Sequence, residues 1–217
     1  MTSMENKVIV LGATGLVGQQ LLKALELDKS VDEVVCLVRR PVNVSFKKSR
    51  CVVVDFMNIE KHRDVFDSVS AVFCSIGTTM KRAGSKSAFQ IVDHYIPMVV
   101  ARLAHEVGVD SFFLVSSSNA SMNSRSFYLR VKGMIENDLK EMSFNRLGIY
   151  RPALLVGKRD SFRLFEQLFI VVFRLFSSVI PKRYRVIKDF ELAKRMVIDY
   201  RELPQGVHII ERDMMAC

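Results

Sequence analysis

The segment VIVLGATGLVG, residues 8–18, joins a continuous apolar run to three glycines spaced three apart, and an amphipathic helix is expected over residues 19–26. Gly12 permits a tight turn, Gly15 lets the backbone approach a phosphate, and Gly18 lets helix and strand pack closely. The helix N-terminus offers N–H groups and the positive end of its dipole to an anion. The segment predicts a nucleotide-binding strand, turn and helix, with an ordinary turn as the alternative.

Length and composition indicate one globular domain over residues 1–217. Hydrophobic residues make up 49% of the chain, and no internal repeat or low-complexity tract is present. No apolar run approaches the roughly 20 residues that cross a bilayer, and the polar start of the chain predicts no signal peptide. The four cysteines have no paired spacing and the four histidines are scattered. We therefore expect free thiols, no metal site and a cytoplasmic location.

The net charge of +9 is compatible with several anionic partners. Nucleic acid, an anionic membrane and a polyanionic cofactor would all be attracted by it. No recognition-helix pattern or aromatic RNA-binding motif accompanies the charge, so nucleic acid is not an expected partner.

Apolar strands alternate with helices along the chain. The predicted strands are 7–11, 33–38, 50–54, 71–75, 111–116, 144–151 and 206–210. The predicted helices are 15–27, 65–68, 88–106, 127–140, 162–179 and 190–200. Because the strands are apolar throughout, we expect them to be buried on both faces. The pattern predicts an α/β protein with a doubly wound parallel sheet of the Rossmann type and helices on both faces.

Ligands of such a sheet bind beyond the carboxyl ends of its strands. Arg39 and Arg40 follow the second predicted strand. At this point an acidic residue binds a free ribose 2′-hydroxyl, whereas an arginine binds a 2′-phosphate. The two arginines favour NADP(H) over NAD(H), with solvated loop charges as the alternative.

Two further strand ends carry polar candidates. Asp55 follows the third strand, where a carboxylate can contact an adenine or cap a helix. Gly77 follows the fourth strand and lets the chain pass close to a ligand. Thr78 and Thr79 add hydroxyls for a phosphate or ribose. An ordinary polar turn is the alternative for this last segment.

The fifth strand ends in the serine run 116–118, and Tyr128 stands eleven residues beyond Ser117. Lys132 follows Tyr128 by four residues and so shares its helix face. In this arrangement Lys132 can lower the pKa of Tyr128 and hold a nicotinamide ribose. A serine hydroxyl can steady a substrate carbonyl while Tyr128 transfers a proton.

Taken in order, these motifs resemble the atypical or extended branch of the short-chain dehydrogenase/reductase superfamily. The resemblance is strongest to bacterial relatives of the HIV Tat-interacting protein oxidoreductases, which are NAD(P)-binding and NmrA-like. The matching segments are 12–18, 37–40, 54–56, 74–79, 83–84, 92–93, 114–117, 128–133 and 151–152, within residues 7 to about 157.

The resemblance implies NADP(H) as the cofactor and a catalytic triad of Ser117, Tyr128 and Lys132, with Ser116 and Ser118 as alternatives for the serine. The turn at residues 151–152 resembles the family segment that passes the nicotinamide amide. The cofactor-binding residues that the resemblance implies are Gly12, Thr14, Gly15, Leu16, Val17, Arg39, Arg40, Asp55, Gly77, Thr78, Thr79, Tyr128 and Lys132.

The last third of the chain predicts a small C-terminal lobe on the substrate side, at about residues 152–205. Residues 162–180 are rich in Phe, Leu, Ile and Val with a narrow polar stripe, which predicts an amphipathic helix with a broad apolar face. That face would line the substrate pocket or form an interface between two copies of the chain. Because basic residues flank it, membrane-surface docking through residues 162–188 is a further alternative. Residues 205–215 predict a closing strand and a short turn.

Three functions are compatible with these features. The first is an NADPH-dependent reductase of a small-molecule carbonyl, with hydride from the nicotinamide and a proton from Tyr128. The second is a regulator or scaffold that binds NADP(H) with little turnover. The first is favoured, because a sensor has no need of the Tyr128 and Lys132 pair. The third is nucleic-acid or membrane binding through charge, which would be strongly salt-dependent.

Overall fold

A computed structural model describes residues 6–156 and 186–215. Its main sheet has seven parallel strands in the order β3-β2-β1-β4-β5-β6-β9. These strands are β1 (Lys7–Leu11), β2 (Glu33–Val38), β3 (Ser49–Val53), β4 (Val69–Cys74), β5 (Ser111–Val115), β6 (Arg146–Arg151) and β9 (Gly206–Glu211). The order runs outward in both directions from the boundary between β1 and β4, which is the doubly wound topology. The predicted Rossmann fold is confirmed, and β9 is the predicted closing strand.

Helices pack on both faces of this sheet. They are α1 (Leu16–Leu27), α2 (Met80–Ala83), α3 (Lys86–Gln90), α4 (Ile96–Glu106), α5 (Phe127–Glu141) and α6 (Asp189–Glu202). One apolar core joins α4 and α5 to one face, and a second joins α1 and α6 to the other. Successive residues of β1 enter opposite cores, Ile9 in the first and Val10 in the second. This two-sided burial explains why the strands are apolar throughout.

The short helix predicted over residues 65–68 is wrong. Phe56–Phe66 forms a run of 3₁₀ turns, interrupted by non-helical backbone at Asn58 and His62. Ser68, which follows it, has a φ of +59°. This left-handed conformation cannot continue a right-handed helix, so the apolar residues Val65 and Phe66 close the 3₁₀ run instead.

The single long helix predicted over residues 88–106 is divided by a π-helical turn, Ile91–Tyr95, between α3 and α4. The Ile96 N–H donates to the carbonyl of Ile91. Pro97 accounts for this widening, because it has no N–H to donate and its ring would clash with the carbonyl four residues earlier, that of Asp93. The π turn leaves Asp93 with its side chain 1% exposed.

A second sheet was not predicted from the sequence. It consists of β7 (Leu154–Val156) and β8 (Val186–Lys188), which pair in parallel. Three residues are too few to show a strand period, and the pairing joins distant segments of the chain. Within the predicted lobe at 152–205, α6 instead belongs to the main body, because its residues Leu192 and Met196 lie in the core shared with α1.

The predicted helix at 162–179 lies outside the described residues, and the proposals of a pocket wall, a dimer interface or membrane docking there stay predictions. Among the helices of residues 6–156 and 186–215, none is long and apolar enough to cross a membrane.

Candidate cofactor and active site

The glycine turn folds tightly against the end of β4. Gly12 has a φ of +90°, and a Cβ added there would lie 2.6 Å from the backbone nitrogen of Ile76. A Cβ on Gly18 would overlap the carbonyl oxygen of Gly12. Gly15 is the N-cap of α1, and no side chain caps the helix N-terminus. The turn therefore presents a helix N-terminus at the point where the strand order reverses, which fits a dinucleotide pyrophosphate.

The other predicted residues of this turn differ in what they can offer. Thr14 is exposed and Leu16 is half-buried. Val17 is only 5% exposed and packs in the core beside α1. Val17 can therefore offer its backbone to a ligand, but not its buried side chain.

Arg39 and Arg40 are exposed and follow β2 directly. Because Leu37 of β2 pairs in register with Leu11 of β1, the two arginines lie at the same edge of the sheet as the glycine turn. Within the described part of the chain, neither arginine forms an ion pair with a carboxylate.

Asp55 is the N-cap of the 3₁₀ run. Its carboxylate accepts hydrogen bonds from the Asn58 side chain at 2.7 Å and from the Met57 N–H at 3.0 Å. These two bonds hold the pKa of Asp55 below its usual value. The capping alternative thus describes what the side chain does in this structure, and contact with an adenine stays a prediction.

The loop after β4, the π turn and α5 meet at one buried ion pair. The Lys132 ammonium lies 2.9 Å from Oδ1 of Asp93, and the two side chains are 5% and 1% exposed. The Thr78 N–H donates to Oδ2 of Asp93 at 2.8 Å. A Cβ on Gly77 would lie 3.3 Å from Oδ1 of Asp93 and 3.8 Å from the Lys132 nitrogen. The small residue at Gly77 therefore lets the loop approach both charges. Thr79 caps α2 through the Arg82 N–H.

The charge of Lys132 depends on its neighbours. Burial acts to lower its pKa, but the Asp93 carboxylate and the Tyr128 phenol act to raise it, and the pKa of Lys132 is raised overall. Cys74, at the end of β4, also faces the ammonium, and burial raises the pKa of its thiol to about 12. Lys132 is therefore a cation beside a neutral thiol.

Tyr128 is half-buried in the first turn of α5, with its ring edge-on to Phe89 at 5.9 Å between centroids. Tyr128 and Lys132 are four residues apart in α5 and therefore lie on the same face of the helix. The structure thus brings Lys132 to the Gly77 loop, with Tyr128 one helical turn before Lys132 on the same face of α5.

The three serines after β5 are used differently. The Ser116 hydroxyl donates to the Glu136 carboxylate, and the Ser118 N–H donates to the carbonyl of Pro152. Among the described residues, the Ser117 hydroxyl makes only one contact, at 3.5 Å to the carbonyl of Ser118. Of Ser116 and Ser117, it is Ser117 whose hydroxyl is not committed to a buried carboxylate.

No role was predicted from the sequence for two carboxylates near the site, Asp93 and Glu136. Glu136 binds Arg151, which lies in the turn predicted to pass the nicotinamide amide. Arg151 Nη2 lies 2.6 Å from Glu136 Oε2, and its Nε donates to Oε1 at 3.0 Å. Arg151 also reaches Glu211 on β9 at 3.3 Å. A signal for Glu136 exists in the sequence, because it is a carboxylate four residues after Lys132 on the same helix face.

A doubly wound sheet with a glycine turn at its switch point, and a Tyr-x-x-x-Lys helix beside it, defines a dinucleotide-binding protein of the oxidoreductase-like class. The chain belongs to the NAD(P)H-binding family, whose model matches residues 12–146. The described residues contain no group of three or more His, Cys, Asp or Glu arranged for a metal ion.

Relatives and solved structures agree with this assignment. The chain is 36% identical over 200 residues to "Protein FMP52, mitochondrial" of Meyerozyma guilliermondii, covering 88% of this chain and 84% of the relative. It is 34% identical over 169 residues to "Protein HTATIP2" of Rattus norvegicus, covering 76% and 69%. A short-chain dehydrogenase/reductase superfamily protein from Agrobacterium tumefaciens with bound NAD superposes with a TM-score of 0.73 at 14% identity, covering 95% and 77%.

These findings confirm the resemblance to an atypical NAD(P)-binding member of the short-chain dehydrogenase/reductase superfamily and a nicotinamide dinucleotide as the cofactor. They correct the predicted cytoplasmic location, because several relatives, including the one from Meyerozyma guilliermondii, are named as mitochondrial. The prediction was wrong because unpaired cysteines indicate a reducing environment without distinguishing one such compartment from another.

Proposed function

We propose that this protein uses NADPH to reduce the carbonyl group of a small-molecule substrate. The observation that carries the proposal is the buried, charged Lys132 beside Tyr128, facing the loop at Gly77. A protein that only binds the cofactor does not require a proton donor next to a fixed ammonium. The family assignment supports the cofactor half of the proposal.

Each side chain has a defined task in this scheme. The bound nicotinamide supplies hydride. Tyr128 gives the proton of its hydroxyl to the carbonyl oxygen, and the adjacent ammonium of Lys132 stabilises the phenolate that remains. Lys132 also holds the nicotinamide ribose. Ser117 donates a hydrogen bond to the substrate carbonyl, a role for which its uncommitted hydroxyl is suited.

The preference for NADPH is supported by Arg39 and Arg40. They are exposed at the cofactor edge of the sheet, where their guanidinium groups can make charge-assisted hydrogen bonds to a 2′-phosphate. The position after β2 has no acidic side chain to bind a free 2′-hydroxyl.

The decisive experiment compares wild type with Tyr128→Phe. Purified protein is incubated with NADPH and a panel of aldehydes, ketones and quinones, and NADPH oxidation is followed by absorbance. For any carbonyl that wild type reduces, we expect Tyr128→Phe to lower kcat by about a hundredfold or more with little change in NADPH affinity. Tyr95→Phe, which alters an exposed tyrosine in the π turn, is the matched control.

Undiminished turnover by Tyr128→Phe would contradict the proposal. Tight NADPH binding without turnover of any carbonyl in the panel would instead favour the regulator or scaffold function.

A further inference from the structure

We propose that Asp93 is a positioning residue, which holds the Lys132 ammonium against the loop at Gly77 and Thr78 and supplies its counter-charge while the cofactor is bound. This inference rests on the proposed contact between Lys132 and the nicotinamide ribose. Asp93 itself lies on neither the glycine turn nor α5, so no pattern in either motif reveals it.

The carboxylate of Asp93 divides its two oxygens between two elements. Oδ1 lies 2.9 Å from the Lys132 ammonium on α5, and Oδ2 accepts the Thr78 N–H after β4 at 2.8 Å. One side chain therefore fixes the distance between the cofactor-side loop and the lysine. Because a Cβ on Gly77 would lie within 4 Å of both charged groups, the loop packs against the pair, and a shift of Asp93 would move both partners.

The backbone explains how Asp93 reaches this point. Pro97 disfavours a regular helix at the carbonyl of Asp93, and the π turn that replaces it is a feature often found at functional sites. A second contact joins the same turn to α5, since His94 lies 2.6 Å from Asp138. The π turn is thus held to α5 by two neighbouring pairs, of which the Asp93 pair is buried and the His94 pair is partly exposed.

A buried ammonium without a partner loses its proton readily, because burial disfavours the charged form. Among the described residues, three titratable groups face Lys132: Asp93 from the π turn, Tyr128 from its own helix and Cys74 from β4. Burial raises the pKa of Cys74 to about 12, so this thiol is uncharged at neutral pH. Asp93 is the carboxylate within reach that can balance the ammonium.

The test measures cofactor binding and needs no substrate. NADPH fluorescence titrations at several pH values between 6 and 9 are compared for wild type, Asp93→Asn and Asp138→Asn. We expect the ratio of the Asp93→Asn dissociation constant to that of wild type to rise about tenfold or more across this range, as the unpaired lysine deprotonates. Asp138→Asn removes a carboxylate from the other pair of the same turn, and its ratio to wild type should stay constant.

A dissociation constant of Asp93→Asn that follows wild type at every pH would overturn the proposal. A second measurement covers the case in which Asp93→Asn folds poorly. Thermal unfolding is recorded for Asp93→Asn, Lys132→Met and the double variant. We expect the double variant to have a higher Tm than Asp93→Asn, because it leaves no unpaired buried charge. Strictly additive losses would count against the ion pair.

The reductase function and the positioning role of Asp93 are contradicted by different experimental results. Undiminished turnover by Tyr128→Phe contradicts the reductase and leaves the role of Asp93 in NADPH binding intact. A normal pH dependence in Asp93→Asn removes the positioning role while leaving Tyr128 as proton donor.

Discussion

Buried carboxylates organise the polar residues around the site. Asp93 holds Lys132, and Glu136 holds both Arg151 and Ser116. The cations and hydroxyls were predicted because they belong to short local motifs after strands. Their acidic partners come from other segments of the chain, so no local spacing links Asp93 to Lys132 or Glu136 to Arg151.

We expect the buried ion pair between Glu136 and Arg151 to contribute measurably to the stability of the fold. Glu136→Gln leaves a guanidinium that is only 19% exposed without its main partner. We expect a loss of about 3 kcal/mol in the free energy of unfolding, at the lower end for a broken buried pair because Glu211 remains, measured by urea denaturation. Glu33→Gln removes the partner of the exposed Arg50 and should cost less than about 1 kcal/mol. Equal losses of unfolding free energy in Glu136→Gln and Glu33→Gln would show that the burial of an ion pair does not determine its contribution.

The proposed preference for NADPH depends on two side chains, Arg39 and Arg40. The double substitution of Arg39→Ala and Arg40→Ala removes both cations at the proposed 2′-phosphate site. We expect the NADPH dissociation constant to rise about tenfold or more, since a charge-assisted hydrogen bond contributes about 1.5–3 kcal/mol, while that of NADH stays within about twofold. Arg50→Ala is the control, because Arg50 lies near the amino end of β3, away from the carboxyl ends of the strands where the cofactor is proposed to bind. Equal weakening of NADPH and NADH would refute 2′-phosphate recognition.

Among the elements, α5 connects the site to the sheet. Tyr128, Lys132 and Glu136 are spaced four apart on one face, and the helix sits close to the chain segment after β5. Gly133 makes this approach possible, because a Cβ there would overlap the backbone of Ser121 and Met122. The position of the proposed proton donor, Tyr128, thus depends on Gly133, a residue without a functional group in its side chain.

Gly133→Ala tests this dependence. Since the clash is with backbone, α5 or the segment after β5 has to move, and we expect a loss of about 1–3 kcal/mol in stability, as for other overpacked sites. NADPH affinity should fall as well, because Lys132 is the preceding residue. Asn137→Ala on the same helix, which removes only a bond to Glu141, is the control. Wild-type stability and affinity in Gly133→Ala would contradict this packing argument.

At the scale of the whole molecule, the two-sided core buries several groups that resist ionisation. Burial raises the pKa values of Cys36 and Cys74 to about 12. Burial also raises the pKa of Tyr150 well above its ordinary value, as does the neighbouring Asp199 carboxylate. These groups remain protonated in the fold at pH values where the unfolded chain has already released its protons.

Because these pKa values are raised in the folded state, we expect the protein to lose stability at alkaline pH. Below pH 9 both states hold these protons and stability is unaffected, whereas from about pH 9 to 12 the unfolded state holds fewer, so stability falls. Each such thiol contributes a slope of about 1.4 kcal/mol per pH unit in that window. Urea denaturation under reducing conditions from pH 8 to 10.5 checks this, and Cys74→Ala should reduce the slope. A free energy of unfolding independent of pH in this range would disprove it.

The sequence by itself determined the order of strands and helices, the glycine turn, and the residues after each strand, because these follow from local apolar period and backbone sterics. It predicted one continuous helix where the structure has a π turn ahead of Pro97, and it missed the pairing of β7 with β8. Only the tertiary structure decided how the glycine turn meets the rest of the site. The folding of β4 beside β1 brings Ile76 against Gly12, and the π turn brings Asp93 to Lys132. Such contacts join distant segments through the packing of buried groups, and no local pattern records them.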